Sequence, residues 1–273
     1  MFFEDLQMRR LILLTVALCT APLAANGQDW AKARLENSPR HQEWVDVEQG
    51  DRKVHSFVVY PEVSEKATAV VVIHEIFGLT DWVRGVADQL AEAGYIAIAP
   101  DLLSGTAKDG GGTAELGGPD EARKVIATLP QDQITADLNA AVKYVGGLPA
   151  ANGKVTVAGF CWGGRETFRF ATNNDEVKAA CVFYGNGPDS AEAIAGISCP
   201  VYGFYGGNDA RVNATIPQST ELMKQAEKTY EPVIYEDAGH GFMRAGEAPD
   251  ANAANAKARE AGWKRWKEIL EGI

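Results

Sequence analysis

Four side chains stand just after apolar runs, where strands can present them at one end of a sheet. They are Glu75 after Val70–Ile73, Cys161 after Val155–Ala158, Asp209 after Val201–Tyr205 and His240 after Val233–Tyr235. In open α/β sheets, reactive groups collect at the carboxyl ends of strands, where loops meet helix N-termini. Cys161 lies in Gly159-Phe160-Cys161-Trp162-Gly163-Gly164. A nucleophile on a sharp strand-to-helix turn needs tiny neighbours two residues to either side, because the turn crowds its own backbone, and Gly159 and Gly163 meet that need. At a helix N-terminus the dipole favours thiolate over thiol. A small buried core cysteine is the plain alternative. His240 sits in Ala238-Gly239-His240-Gly241-Phe242, whereas a core histidine more often lies inside an element than on a glycine-bounded loop. As general base and acid it could carry a proton between nucleophile and leaving group. Asp209, in Gly206-Gly207-Asn208-Asp209, could accept from the other ring nitrogen and set the tautomer. By itself it reads more readily as a turn or helix-cap aspartate, a weighting that the chain order of the candidate groups reverses.

The elements that must position these groups alternate along the chain. Glu43–Glu48 and Val54–Val59 read as strands joined by a turn at Gly50-Asp51. Ala67–Ile73 is a continuous Val-rich run of the kind buried on both faces of a parallel sheet. Asp81–Ala93 carries Val83, Val86 and Leu90 at helical spacing and stops at Gly94; Tyr95–Ala99 is the next strand. Residues 104–118 contain six glycines and read as a mobile loop. Helices are expected at 119–129, 132–146, 162–173, 214–229 and Asn252–Leu270. Strands are expected at Val155–Ala158, Val177–Tyr184, Pro200–Tyr205 and Pro232–Tyr235. This order predicts an α/β fold: one domain, with a mostly parallel sheet flanked by helices on both faces.

Composition narrows the classes of function. The chain has 273 residues, 46% hydrophobic and 23% charged, with a net charge of −11. Such an acidic balance without a basic run argues against nucleic acid or anionic lipid as partner. Met8-Arg9-Arg10, the apolar stretch Leu11–Leu18 and the small residues Ala21, Ala24, Ala25 and Gly27 follow the three-part pattern of a secretory signal. Residues 1–27 are therefore expected to be removed, leaving 28–273 as an exported, periplasmic protein not held in a membrane. Losing them takes away two basic and two acidic residues and leaves the net charge unchanged. Cys161, Cys181 and Cys199 remain, an odd count that leaves at least one thiol unpaired or bridged between chains. Cys181 and Cys199 flank neighbouring predicted strands, which leaves a disulfide between them open. None of the cysteines forms a Cys-x-x-Cys pair, so a structural zinc site has little support.

The order nucleophile, acid, histidine is that of α/β-hydrolases. Five segments in sequence (His74-Glu75-Ile76-Phe77-Gly78, Pro100-Asp101-Leu102, the Cys161 and Asp209 turns, and Gly239-His240-Gly241-Phe242) together resemble the dienelactone hydrolase, or carboxymethylenebutenolidase, family. The likeness covers roughly residues 43–270. It implies a single-domain α/β-hydrolase fold and a catalytic triad of Cys161, Asp209 and His240. It also implies that Glu75 touches the resting thiol and keeps it largely neutral, since a nearby carboxylate disfavours a second negative charge. Backbone N–H groups of Ile76 and Trp162 are implied as the oxyanion hole. Arg244 is implied to grip a substrate carboxylate, with Arg123 the nearest candidate for a second arginine. His74 is expected to orient a loop and not to react.

The resemblance implies a hydrolase, without cofactor or metal, that opens a lactone or small ester through a thioester and acts as a monomer on a small molecule. Two other readings differ from it. An exported general carboxylesterase or thioesterase would not depend on a substrate carboxylate. A non-catalytic binding protein on the same scaffold would have no physical reason to keep all four of Cys161, Asp209, His240 and Glu75.

Overall fold

The computed structural model describes residues 28–273, so the expected leader lies outside the described residues. Eight strands form one sheet: β1 (Gln42–Gln49), β2 (Arg52–Val59), β3 (Ala67–Ile73), β4 (Ile96–Pro100), β5 (Ala151–Phe160), β6 (Ala180–Phe183), β7 (Val201–Gly206) and β8 (Tyr230–Tyr235). Their spatial order is β1-β2-β4-β3-β5-β6-β7-β8. β1 and β2 form a hairpin, β2 meets β4 antiparallel, and every later pairing is parallel. The ten helices described are α1 (Asp29–Glu36), α2 (Asp81–Glu92), α3 (Pro119–Ile126), α4 (Gln131–Gly146), α5 (Trp162–Ala171), α6 (Ala191–Ala195), α7 (Ala210–Asn213), α8 (Ile216–Gln225), α9 (Phe242–Ala245) and α10 (Ala253–Glu271).

The unbroken apolar run of β3 has a direct cause in the two-residue period of a strand. Ala69, Val71 and Ile73 join a core with α4 and α5 on one face, while Val70 and Val72 join a core with α1, α2 and α10 on the other. From Ala69 to Ile73 either face therefore demands a hydrophobe, and only Thr68, near the start of β3, is partly exposed. Beneath the end of β5, Phe160 stacks on Phe183 at 4.7 Å and meets Trp82 and Trp266 edge-on at 5.0 and 6.0 Å. Such aromatic contacts add roughly 0.5–1.5 kcal/mol each beyond area burial, so the platform under the Cys161 turn is stiff.

Several elements differ from the sequence expectation. Residues 29–36 form α1, although only Ala31 and Leu35 of that segment are buried. So short a helix is not stable by propensity, and it forms because those two residues, one turn apart, dock on the α2 face. The helix expected over 214–229 is shorter, α8 alone, with Pro217 in its opening turn, where the missing N–H costs nothing, and the single-turn α7 precedes it unanticipated.

The glycine-rich stretch 104–118 is ordered, contrary to expectation. Asp101 accepts from the N–H groups of Leu103 (3.0 Å) and Thr113 (2.7 Å) and from the Thr113 hydroxyl (2.7 Å). That hydroxyl oxygen in turn accepts from Leu79 N–H at 3.0 Å. One buried carboxylate thus pins the loop against the segment that follows β3.

Cys181 and Cys199 are buried free thiols, so the bridge left open by sequence is not made. They pack instead in separate hydrophobic clusters, one on each face of the sheet.

Candidate active site

Cys161 stands between β5 and α5 with φ 57° and ψ −113°, a conformation that L-residues rarely adopt. Strain of this kind costs roughly 1–3 kcal/mol and persists only where the surroundings over-determine it. Here they do. The Cys161 N–H donates to Phe183 O at 3.0 Å, and α5 begins at the next residue.

His240 reaches the sulfur from the loop after β8, its Nε2 3.2 Å from Cys161 Sγ. Its Nδ1 lies 2.5 Å from Asp209 Oδ2. A carboxylate can only accept, so Nδ1 carries the proton and Nε2 is left to accept from the thiol. The other oxygen of Asp209 accepts from Val212 N–H at 3.3 Å and caps α7. The two readings open for Asp209, helix cap and histidine partner, are therefore both realised, one on each oxygen. Tyr184, fully buried, meets the His240 ring edge-on at 5.1 Å and limits its tilt. Nothing local in the sequence marks Tyr184, which reaches the histidine only through the β6–β8 neighbourhood.

Glu75 is almost wholly buried, and its Oε2 accepts from Arg244 Nε at 2.8 Å. The described hydrogen bonds give the thiol to His240, not to Glu75, and Arg244 is engaged by Glu75 through one edge of its guanidinium. The cause is burial: a carboxylate in this setting needs a cation, and Arg244 on α9 is within reach. Burial still raises the Glu75 pKa, with Arg244 and then His240 opposing it.

Two opposed effects were expected on the thiol, and their balance is now clear. Burial raises the Cys161 pKa and Glu75 adds to it. The N–H groups of Trp162 and Ile76, and then Arg211, pull it down, but not enough to offset the rise. Burial and Glu75 thus favour the protonated thiol at rest. The same two N–H groups lie within hydrogen-bond reach of the sulfur, which is where an oxyanion hole would sit.

The thiol's alkylation rate should accordingly climb through the alkaline range. Glu75→Gln should move that climb to lower pH, because the substitution removes a negative charge beside the sulfur and frees a positive one. Iodoacetamide labelling of Cys161 across pH measures this; an unmoved profile would show that Glu75 has no influence on the thiol.

His74 is completely buried, its Nδ1 2.8 Å from Glu75 O and its ring stacked on Trp162 at 5.3 Å. It braces the backbone on both sides of the sulfur. Phe77 follows Ile76 and forms one wall of a cavity of about 520 Å³ also bordered by Arg244. Arg123 is half-exposed and paired with Asp120 at 3.2 Å, yet its guanidinium lies 4.8 Å from the Phe77 ring, and that of Arg244 lies 5.5 Å from the same ring. Both arginines therefore border Phe77, but neither is among the described partners of Cys161. Among the described residues no group of three or more His, Cys, Asp and Glu side chains converges as a metal site.

A mostly parallel sheet with a strained turn after β5, an acid after β7 and a histidine after β8 defines an α/β-hydrolase. The sequence profile of the dienelactone hydrolase family matches residues 54–273. A protein of Salmonella typhimurium described as "Putative carboxymethylenebutenolidase" is 36% identical over 239 residues, 81% of this chain and 83% of its own. One of Methylorubrum extorquens with the same description is 32% identical over 235 residues, 82% and 78% of the two chains. Among solved structures, a "Putative Dienelactone Hydrolase" from Klebsiella pneumoniae superposes with a TM-score of 0.74 at 25% identity, covering 86% of this chain and 99% of that one. The chain belongs to the dienelactone hydrolase family and is a carboxymethylenebutenolidase-like hydrolase.

Proposed function

We propose that this protein hydrolyses a lactone or small carboxylic ester with Cys161 as nucleophile, through a thioester intermediate. The observation that carries this reading is His240 bridging Cys161 Sγ and Asp209 Oδ2 across 3.2 and 2.5 Å. Sγ attacks the carbonyl carbon as its proton passes to His240 Nε2, while Asp209 holds the imidazolium so formed. The carbonyl oxygen becomes an oxyanion between the N–H groups of Ile76 and Trp162. Collapse breaks the C–O bond, and His240 returns the proton to the departing alkoxide. In a lactone that alkoxide stays attached, so the first step opens the ring. Water then attacks the thioester, gives its proton to Nε2 and releases the acid; the proton returns to Sγ. The neutral thiol fits this scheme, because proton transfer accompanies attack and no standing thiolate is required. A neutral thiol also oxidises more slowly, which suits the export proposed for this chain.

Iodoacetamide provides the test, because only one of the three remaining thiols is accessible. Cys181 and Cys199 are buried, and burial pushes the Cys199 pKa up to about 11. Turnover of a carboxylate-bearing dienelactone and of a neutral ester should fall in proportion to the label on Cys161. Full turnover by stoichiometrically labelled protein would reject the nucleophile. Preference for the dienelactone supports the family's lactone chemistry, whereas turnover of the neutral ester alone points to a general esterase.

A further inference from the structure

The family profile begins at residue 54, but the chain before it reaches the pocket. Gln28, the residue just ahead of α1, borders the cavity together with Phe77, Thr80, Thr113, Pro119 and Arg244. We propose that the Gln28 carboxamide is a specificity-determining group, donating through Nε2 to a carboxylate that the substrate carries away from its scissile carbonyl. The proposal rests on the hydrolase reading given above and adds to it a residue from outside the family's matched region.

Three observations support it. Gln28 is held in place from one side only. Its Oε1 accepts from Trp82 N–H at 3.2 Å, supplying an orphan donor in the first turn of α2 that Thr80, the residue in the capping position, leaves unmet. That contact fixes the amide plane, and Nε2 donates to no described residue.

The neighbouring groups are donors in the same condition. The Thr80 hydroxyl oxygen is buried with no described partner. Arg244 uses its Nε for Glu75 and turns the rest of its guanidinium to the Phe77 side. Because Glu75 already offsets the charge of Arg244, the arginine alone offers an anion little net attraction. Neutral donors placed beside it add directional hydrogen bonds to an anion, each worth more than a bond between two neutral groups.

The segment carrying Gln28 is also clamped to the segment carrying Arg244. Glu247, three residues after Arg244, accepts from Arg34 of α1 at 3.2 Å, from Gln89 and Trp82 Nε1 of α2 at 3.0 Å each, and pairs with Arg259 of α10 at 3.0 Å. Its own N–H donates to Arg244 O at 3.1 Å. One nearly buried carboxylate thus fixes α1, α2, α10 and the arginine relative to one another. Gln28 is thereby held beside Arg244 before any substrate arrives.

The test compares Gln28→Ala and Gln28→Glu with the unaltered protein, each produced as the full chain so that residue 28 has no free α-amine onto which its carboxamide could cyclise. Glutamate keeps an oxygen for Trp82 N–H but offers a carboxylate no donor, so it separates recognition from the helix cap. Two esters of equal length serve as probes, mono-p-nitrophenyl succinate and p-nitrophenyl butyrate. For the succinate ester, kcat/KM should fall about 10-fold in Gln28→Ala and further in Gln28→Glu, mostly through KM, with the butyrate ester within about 2-fold. Calorimetric titration with succinate reads the same site without turnover, and its Kd should weaken in the same order. Equal losses for both esters, or a succinate Kd unchanged by Gln28→Glu, would overturn the proposal. Succinate failing to bind the unaltered protein would overturn it as well. Hydrolysis of both esters that survives labelling of Cys161 would instead overturn the underlying nucleophile reading and leave the succinate result to stand by itself.

Discussion

Cys161→Ala should lower kcat/KM for any hydrolysed ester by roughly 10⁴-fold or more, about 5.5 kcal/mol of transition-state stabilisation. In the proposed mechanism the loss is large because no thioester can form and His240 has no thiol proton to take. Without it, the imidazole can at best activate a water that nothing positions. The proposed oxyanion donors and the pocket survive, so a residual rate above that in water should remain. Folding should be nearly unchanged, because alanine adopts φ 57° at about the same cost as cysteine. Cys161→Gly sharpens this prediction: it should be equally inactive yet more stable, by about 1 kcal/mol, as glycine relieves the strained turn. Progress curves at high enzyme concentration and thermal melts of the three proteins measure both effects. An alanine variant with more than a tenth of the original rate would show that another group attacks.

Gly163→Ala carries the largest expected cost to the fold. A Cβ at position 163 would overlap the carbonyl oxygens of Ile73 and His74, which are backbone atoms and cannot rotate away. Gly159 is constrained from the same contact, since a Cβ there would overlap the Gly163 carbonyl. α5 therefore crosses the ends of β3 and β5 at a distance only glycine permits. Opening that crossing should destabilise the chain by about 3 kcal/mol or more, and lower Tm by about 6–12 °C. Activity should fall in the fraction that still folds, because His74 leads into the Glu75-Ile76 segment and its displacement moves the proposed oxyanion donor Ile76. A Tm within about 2 °C of the original would mean that the backbone yields at little cost, and that the tight crossing is not what the glycines serve.

Much of the fold was legible because it depends on local pattern. The double-sided burial of β3 shows as an unbroken Val run, and α2 shows in the spacing of Val83, Val86 and Leu90. The glycines around Cys161 mark a turn that other residues cannot make. The order of Cys161, Asp209 and His240 along the chain was enough to name which side chains should meet. Their meeting is a matter of topology, since parallel strands place all three loops at one end of the sheet.

What remained hidden depends on contacts between residues far apart in sequence. The glycines of 104–118 suggested mobility, but Asp101 and Thr113 tie that loop down through bonds with no local signature. α1 has too few apolar residues to be read as a helix and forms only against α2. Arg244 was read as a group waiting for a substrate; a buried Glu75 claims part of it first, because an unpaired carboxylate there would be too costly. Gln28 reaches the pocket only because Glu247 draws together segments more than 200 residues apart. Residue types and their spacing show which atoms could react and in what order the chain presents them. Which of them share a hydrogen bond and how much charge each one keeps follow from packing, because burial and partner distance set both and neither is a property of sequence spacing.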